Sequence, residues 1–349
     1  AWMEIFGVPV LYTPYSEHPD PTVKRKSGLL APVLGGSDIL GTAVQQPYYW
    51  TFGPDEDVTF SPIFTSKQGV VAVGEYRRLL PNGRIDLRAS GTVSDRVADS
   101  GLSERNQFRG HIDSAVRFDI DDTWRWGVDA QRASDDTYMR IYNFSSPRSL
   151  TSRAFVEGFD GRNYMAANGF LYQGLRVTDD NAQSPIIMPL LDYNYISEPG
   201  IADSTYTIDA NLLALTRQVG RDSRRASLGV GWELPYTSPL GDIYKLSASL
   251  QTDGYWTSGV DPNSNDINSA GATESNVTGR VFPQVALNWR YPWVRSVDGI
   301  HQVIEPIAQA VFAPNGGNPG RIPNEDSIDF EFDDTNLFSL NRFNGLDRV

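Results

Sequence analysis

Apolar and polar side chains alternate with period two along much of this chain. In NVTGRVFPQVALNWRYPW one parity holds Val277, Gly279, Val281, Pro283, Val285, Leu287, Trp289 and Tyr291. The other holds Thr278, Arg280, Phe282, Gln284, Ala286, Asn288 and Arg290. Successive side chains of a strand point to opposite faces, so this period predicts a strand with one apolar and one polar face. RASLGVGWELPY sets Ala226, Leu228, Val230, Trp232 and Leu234 against Ser227, Gly229, Gly231 and Glu233. YKLSASLQTDGYW and FRGHIDSAVRFDI divide in the same way, and VTFSPIF, GRIDLRAS, TWRWGVDAQR and TYTIDANLLAL are shorter echoes.

About fifteen such runs can be counted, many of ten residues or more, whereas soluble strands average about five or six. PNG at 81–83 and FDG at 159–161 read as short turns, and 257–276 as a long polar loop. Short turns at one end and long loops at the other suit a transmembrane, antiparallel outer-membrane β-barrel, and all-β is the expected class. Aromatics near run ends would form its interfacial girdles: Tyr48, Tyr49, Trp50, Trp124, Trp126, Tyr255, Trp256, Trp289, Tyr291 and Trp293. A soluble β-sandwich also alternates, with shorter runs, and stays open as an alternative. No run keeps a helical period, and no repeat of fixed period points to a propeller or solenoid.

Composition narrows the chemistry. The 349 residues carry a formal charge of −13, which argues against a nucleic-acid partner. Cysteine is absent, so thiol chemistry and disulfides are excluded within this sequence. No segment is apolar for long enough to be a transmembrane helix. AWMEIFGVPVLY lacks the marks of a signal peptide, FNGLDRV closes nothing, and a fragment is expected. Proline is conspicuous near the beginning: Pro32 in KRKSGLLAPVLGGSD and Pro47 in VQQPYYW fall within two successive expected strands, where each removes a ladder donor.

Several stretches, with their spacing, resemble the LptD family: FGVPVLYTPYSEHPDPTVKRKSGLLAP (6–32), QQPYYW (45–50), IEPIAQ (304–309) and PNEDSIDFEFDDTNLFSLNRFNGLDR (323–348). The resemblance covers essentially the whole chain. It implies a lipopolysaccharide translocon of the bacterial outer membrane, non-enzymatic and without a cofactor. Residues 1–22 would end a periplasmic β-jelly-roll, and 23–349 would be roughly the first fifteen strands of a barrel usually of 26. The implied partners are lipopolysaccharide, an LptE-type lipoprotein plug and a periplasmic bridge protein that docks on the jelly roll. Pro32 and Pro47 would weaken a lateral gate between the first and last strands. The disulfides of many relatives have no counterpart here. Fifteen strands without their partners would leave an open edge, so this piece is not expected to insert alone.

Other candidates carry two readings each. Lys24, Arg25 and Lys26 would meet lipid phosphates at the rim or anchor the first strand among headgroups. Polar-parity Arg109, Arg117, Arg125 and Arg280 would line the lumen, touching the plug or phosphorylated sugar. The run NEDSIDFEFDD is a weak calcium candidate through Asp329, Glu331, Asp333 and Asp334, since it lacks EF-hand spacing; a solvated loop over the barrel mouth is the preferred reading. Of the three histidines, His18 and His301 read as loop or turn residues and His111 as a lumen residue, and no hydrolase motif occurs. A passive porin and a soluble all-β carbohydrate-binding protein remain the alternatives.

Overall fold

A computed structural model describes residues 2–5, 8–12, 25–97, 103–145, 147–260, 274–297 and 299–349. These residues are antiparallel strand almost throughout, with one four-residue helix, α1 (Tyr138–Ile141), and a 3-10 turn at Ile201–Asp203. They form two compact units, residues 1–116 with 133–146 and residues 117–132 with 147–349.

In the first unit β1 (Trp2–Ile5) and β2 (Val8–Tyr12) make a separate two-stranded sheet. The main sheet then runs through β3 (Gly28–Leu29), β4 (Val33–Ser37), β5 (Gly41–Gln45), β6 (Tyr48–Thr51), β7 (Glu56–Phe60) and β8 (Ile63–Thr65). These six pieces are three long strands, each broken once. On one side of the break β3 pairs β6 and β6 pairs β7. On the other, β4 pairs β5 and β5 pairs β8. Both sides rejoin on the unbroken β9 (Gly69–Leu80), which meets β7 from Glu56↔Arg78 to Phe60↔Gly74 and β8 from Ile63↔Val71 to Thr65↔Gly69. A turn at Pro81–Asn82 leads into β10 (Gly83–Val97), and β11 (Ser103–Asp119) follows.

The second unit is an up-and-down meander. Its strands are β12 (Trp124–Ala133), β13 (Ser149–Asp160), β14 (Asn163–Gly174), β15 (Ile186–Ile196), β16 (Thr205–Thr216), β17 (Asp222–Thr237), β18 (Ile243–Val260) and β19 (Glu274–Arg290). A hairpin of β20 (Trp293–Val297) and β21 (Ile300–Ile304) interrupts the path before β22 (Ile307–Phe312) returns to pair β19. With each broken strand counted once, and the β1–β2 and β20–β21 pairs set aside, fifteen strands remain among the described residues, as the alternation implies. Turns at 161–162 and 238–242 are tight, and Gly161 takes φ +58°, a conformation open to glycine at no steric cost. At the opposite strand ends the connections span 134–148 and 175–185.

Which face is buried is inverted relative to a soluble sheet. Leu228, Val230, Leu250, Val285 and Leu287 are exposed, and Val281 is 64% exposed. On the opposite parity Asn211, Ser223, Arg225, Ser227, Asp253, Thr257 and Arg280 are buried. Register sets the apolar side chains beside each other: Val230↔Leu250 continues to Leu250↔Pro283, and Trp232↔Ala248 to Ala248↔Val285. Such an aliphatic surface is unfavourable in water by about 25 cal/mol per Å², whereas hydrocarbon removes that cost. The arrangement therefore suits a sheet whose outer face meets lipid.

Aromatic pairs flank the short turns, with Phe118–Trp126 stacked at 5.3 Å, Phe159–Tyr164 at 5.1 Å and Tyr236–Tyr244 at 6.2 Å. Tyr255 departs from the girdle expectation: it is 2% exposed and donates from its hydroxyl to the Leu346 carbonyl, because its parity is that of the polar face. The loop expected from 257 starts later, since cross-strand pairing carries β18 to Val260.

Leu250→Arg in the middle of β18 is expected to destabilise the full-length protein in lipid vesicles by about 2–4 kcal/mol. A urea titration in vesicles checks this, and the same change at inward-facing Gln251 is expected to cost well under half as much.

Candidate functional site

Pro32 and Pro47 do not sit inside strands as the sequence suggests; they occupy the gaps, Pro32 between β3 and β4 and Pro47 between β5 and β6. The missing N–H is what ends each piece. A third proline, Pro62, breaks β7 from β8. The three are evenly spaced along the sequence, and Pro62 was legible there as the proline inside VTFSPIF. Backbone hydrogen bonds cross the gaps in a row. Leu30 N–H donates to the Pro47 carbonyl at 3.0 Å, Gln46 N–H to Pro62 at 3.1 Å and Ser61 N–H to Val73 at 2.8 Å. The Gln46 side-chain amide adds a bond to the Leu30 carbonyl at 2.9 Å. The pairing of β3 with β6 is only two residues long, and every residue of β4 is exposed.

Of the basic cluster, Lys24 lies outside the described residues. Arg25 is not free for a lipid phosphate: it reaches Asp57 at 2.6 Å and donates to the Pro54 carbonyl. Arg77 holds the other oxygen of Asp57 at 2.9 Å, and this carboxylate is buried. Arg25 thus fastens the approach to β3 onto β7, and Arg77 ties β9 to the same carboxylate. Lys26 is exposed.

The polar-parity arginines are paired within the protein. In the first unit Arg109, 2% exposed, forms a bidentate pair with Asp135 at 2.7 and 2.9 Å and donates to the Thr137 hydroxyl. Burial opposes charge on Asp135, but bonds from Arg109, Thr137 and Ser134 hold its carboxyl well below the usual range. Ser90 Oγ bridges His111 Nδ1 and the Tyr138 hydroxyl, each at 2.6 Å, and His111 packs 4.3 Å from the Phe144 ring. Burial pushes the Tyr138 hydroxyl up to about 12. This Ser–His–Tyr contact ties α1 to β10 and β11.

In the second unit Arg117 pairs with Asp129 at 2.5 Å, and Arg125 with Glu157 at 2.7 Å. Arg280 pairs with Asp253 at 2.5 Å and donates to the Leu346 carbonyl at 2.6 Å. A richer constellation surrounds the chain after β22. Arg225 holds Asp326 at 2.5 Å and Asp347 at 2.7 Å, while Arg217 and Arg221 both hold Glu325, the former at 2.7 Å. The acidic run is therefore not simply a solvated loop over the mouth. Its first two carboxylates bind 323–349 to the β16–β17 connection through Arg217 and Arg221 and to the polar face of β17 through Arg225, a use that strand parity could not show because the partners lie about a hundred residues apart.

Burial works against charge on Glu325, but the two arginines keep its carboxyl below the ordinary value. Arg225 serves two acids. Burial opposes ionisation of both; Arg225 holds Asp326 low, while Asp347, repelled also by Asp326, is raised. Of the calcium candidates, Asp329 contacts Arg342 at 3.3 Å, the Asp333 carboxylate accepts from Thr335 while its backbone N–H donates to Asn336 Oδ1, and Glu331 and Asp334 are exposed. Among the described residues no three metal-ligating side chains converge. His301 lies in β21, bonded through Nδ1 to Ser296 Oγ at 2.8 Å, and His18 is outside the described residues.

Comparison with known proteins adds sequence relationships to this geometry. A family model described as "LptD: LPS transport system D" matches residues 107–349. The LPS-assembly protein LptD of Actinobacillus pleuropneumoniae serotype 7 is 27% identical over 369 residues, covering all of this chain and 46% of the relative. Proteins of the same name from Methylococcus capsulatus and Salmonella typhimurium are each 27% identical across the full chain, covering 33% and 45% of their lengths. The chain thus spans between a third and a half of these relatives.

The Glu325 clamp predicts a pH response. Its folded value lies below the ordinary 4.5, so its contribution is complete above that pH and is lost as pH falls through the folded value. A spin label at position 339 of the full-length protein should be immobile at pH 7 and gain mobility below about pH 4.5. Arg225→Leu, which strands two carboxylates, should mobilise the same label at pH 7, at a cost of about 3–5 kcal/mol.

Proposed function

The chain belongs to the LptD family, and from that premise we propose that it is the front part of a barrel that inserts lipopolysaccharide into the outer leaflet of the bacterial outer membrane. Lipopolysaccharide joins a wide, charged sugar head to several acyl chains and needs two environments at once. The polar face of the sheet, lined by paired arginines and carboxylates, suits the head. A lateral opening between the first and last strands lets the chains pass into lipid.

The observation that carries this reading is the row of breaks at Pro32, Pro47 and Pro62. Each proline removes one N–H from the ladder, and a ladder bond contributes about 0.5–1.5 kcal/mol net. Three successive strands weakened at one level let the sheet bend there, so that the first strand parts from the last at low cost, and Pro32 and Pro47 are the gate residues. The work is non-enzymatic: the Ser90–His111–Tyr138 cluster is structural, and the energy for transport comes from outside the barrel. The partners are lipopolysaccharide, a lipoprotein of the LptE type seated within the closed barrel, and a periplasmic bridge protein received by the jelly roll, of which residues 1–22 are the end. In this reading Lys24 and Lys26 supply positive charge for lipid phosphates at the rim, while Arg25 anchors the first strand through Asp57.

A photoreactive residue at Leu30 or Val33 of the full-length protein in cells tests the gate. Adducts with lipopolysaccharide and with the last barrel strand are expected. A folded, membrane-inserted protein giving neither would remove the gate from this seam and favour a passive porin. Restoring donors with Pro32→Ala and Pro47→Ala together should raise the strand-to-strand adduct and lower the lipid adduct.

A further inference from the structure

The first unit contains a cavity of about 590 Å³ that none of the roles above uses. Its walls are residues of β4, β5, β8, β9 and β10, closed by residues 140–144 at the end of α1. Leu40, Ala43, Ile63 and Val73 supply a buried apolar floor. Two arginines also line it, Arg88 from β10 and Arg140 from α1. No carboxylate does, in a chain with 43 acidic against 30 basic side chains.

These arginines differ from the polar-face arginines described above. Arg109, Arg225 and Arg280 are buried and fully engaged by carboxylates and carbonyls. Arg88 comes no nearer than 3.9 Å to Glu75, its cross-strand neighbour, and Arg140 makes no ion pair among the described residues. Two guanidinium groups left without a close carboxylate, beside an apolar floor, form a site complementary to an anion that carries a hydrocarbon chain. The guanidinium fork matches phosphate oxygens two at a time, and a volume of this order suits a ligand-sized group.

We propose that this cavity is a binding subsite for the phosphorylated head of a membrane amphiphile, with Arg88 and Arg140 taking the phosphate and Leu40, Ile63 and Phe144 the adjoining acyl segment. The proposal rests on the transport reading and gives the moving lipid a stopping point. Three of the walls, β4, β5 and β8, belong to the part of the sheet beyond the proline breaks. Movement of that part reshapes the cavity, so occupancy and opening of the seam are coupled.

The test uses the full-length protein with its lipoprotein partner in nanodiscs, titrated with phosphorylated lipopolysaccharide and with its enzymatically dephosphorylated form. Arg88→Gln with Arg140→Gln should weaken the phosphorylated ligand at least tenfold and leave the dephosphorylated one unchanged. Arg84→Gln, near the exposed β9–β10 turn and outside the cavity, should change neither. Equal weakening of both ligands, no weakening, or full competition by inorganic phosphate at matching concentration would each overturn the proposal. Should the double variant fail to fold, a photoreactive residue at Gln45 on the cavity wall replaces it. Adducts with the phosphorylated lipid are then expected, and equal adducts with both forms would sink the subsite. Adducts at Leu30 separate the two levels: if they persist while the arginine pair has no effect, the subsite falls and transport stands. If they vanish as well, the transport reading fails with it.

Discussion

Every peptide group of a sheet that faces hydrocarbon must find its hydrogen-bond partner within the protein, because no water is there to supply one. The remaining features follow from meeting or relaxing that requirement. Long antiparallel ladders meet it: β17 and β18 pair without interruption from Asp222↔Ser258 to Thr237↔Ile243. With the backbone satisfied, the outward side chains are free to be aliphatic. The inward ones are left to carry nearly all the polarity of the sheet.

Relaxation occurs where proline removes donors, and its consequence depends on the neighbours. Near the other end of the chain β19 and β22 also break, at Tyr291–Pro292 and Glu305–Pro306, with Tyr291 N–H donating to the Pro306 carbonyl at 3.1 Å. There two strands of one hairpin break together, and the piece beyond, β20 with β21, stands as a separate two-stranded sheet with all its residues exposed. Around Pro32, Pro47 and Pro62 three consecutive strands break at one level, and β9 continues unbroken beside them. The same chemistry gives a projecting hairpin in one place and, in the other, a sheet that can bend along a line while anchored on one side.

The inward face obeys a second consequence of low dielectric. A charge removed from water must be paired and hydrogen-bonded, or it destabilises the fold by several kcal/mol. Arg109 with Asp135 and Arg280 with Asp253 are local solutions between neighbouring elements. Arg217, Arg221 and Arg225 use a distant one, drawing Glu325, Asp326 and Asp347 onto β17 and the connection before it. That segment has almost no regular structure of its own; ion pairs and side-chain to backbone bonds hold it in place.

The sequence by itself determined the strands, their two faces and their number, because a side-chain period of two is local and survives without any tertiary information. The resemblance carried by 6–32, 45–50 and 323–348 extended this to a family and a direction of function. Which face is outermost, that Tyr255 lies under a covering segment, and that Pro62 continues the line of Pro32 and Pro47 were decided by pairing between strands. So was the fate of the acidic run, whose carboxylates read alone are a solvated loop or a poor cation site. Parity records which side of a strand a residue occupies, but register and long-range pairing record what it meets there, and those depend on contacts across a hundred residues of chain.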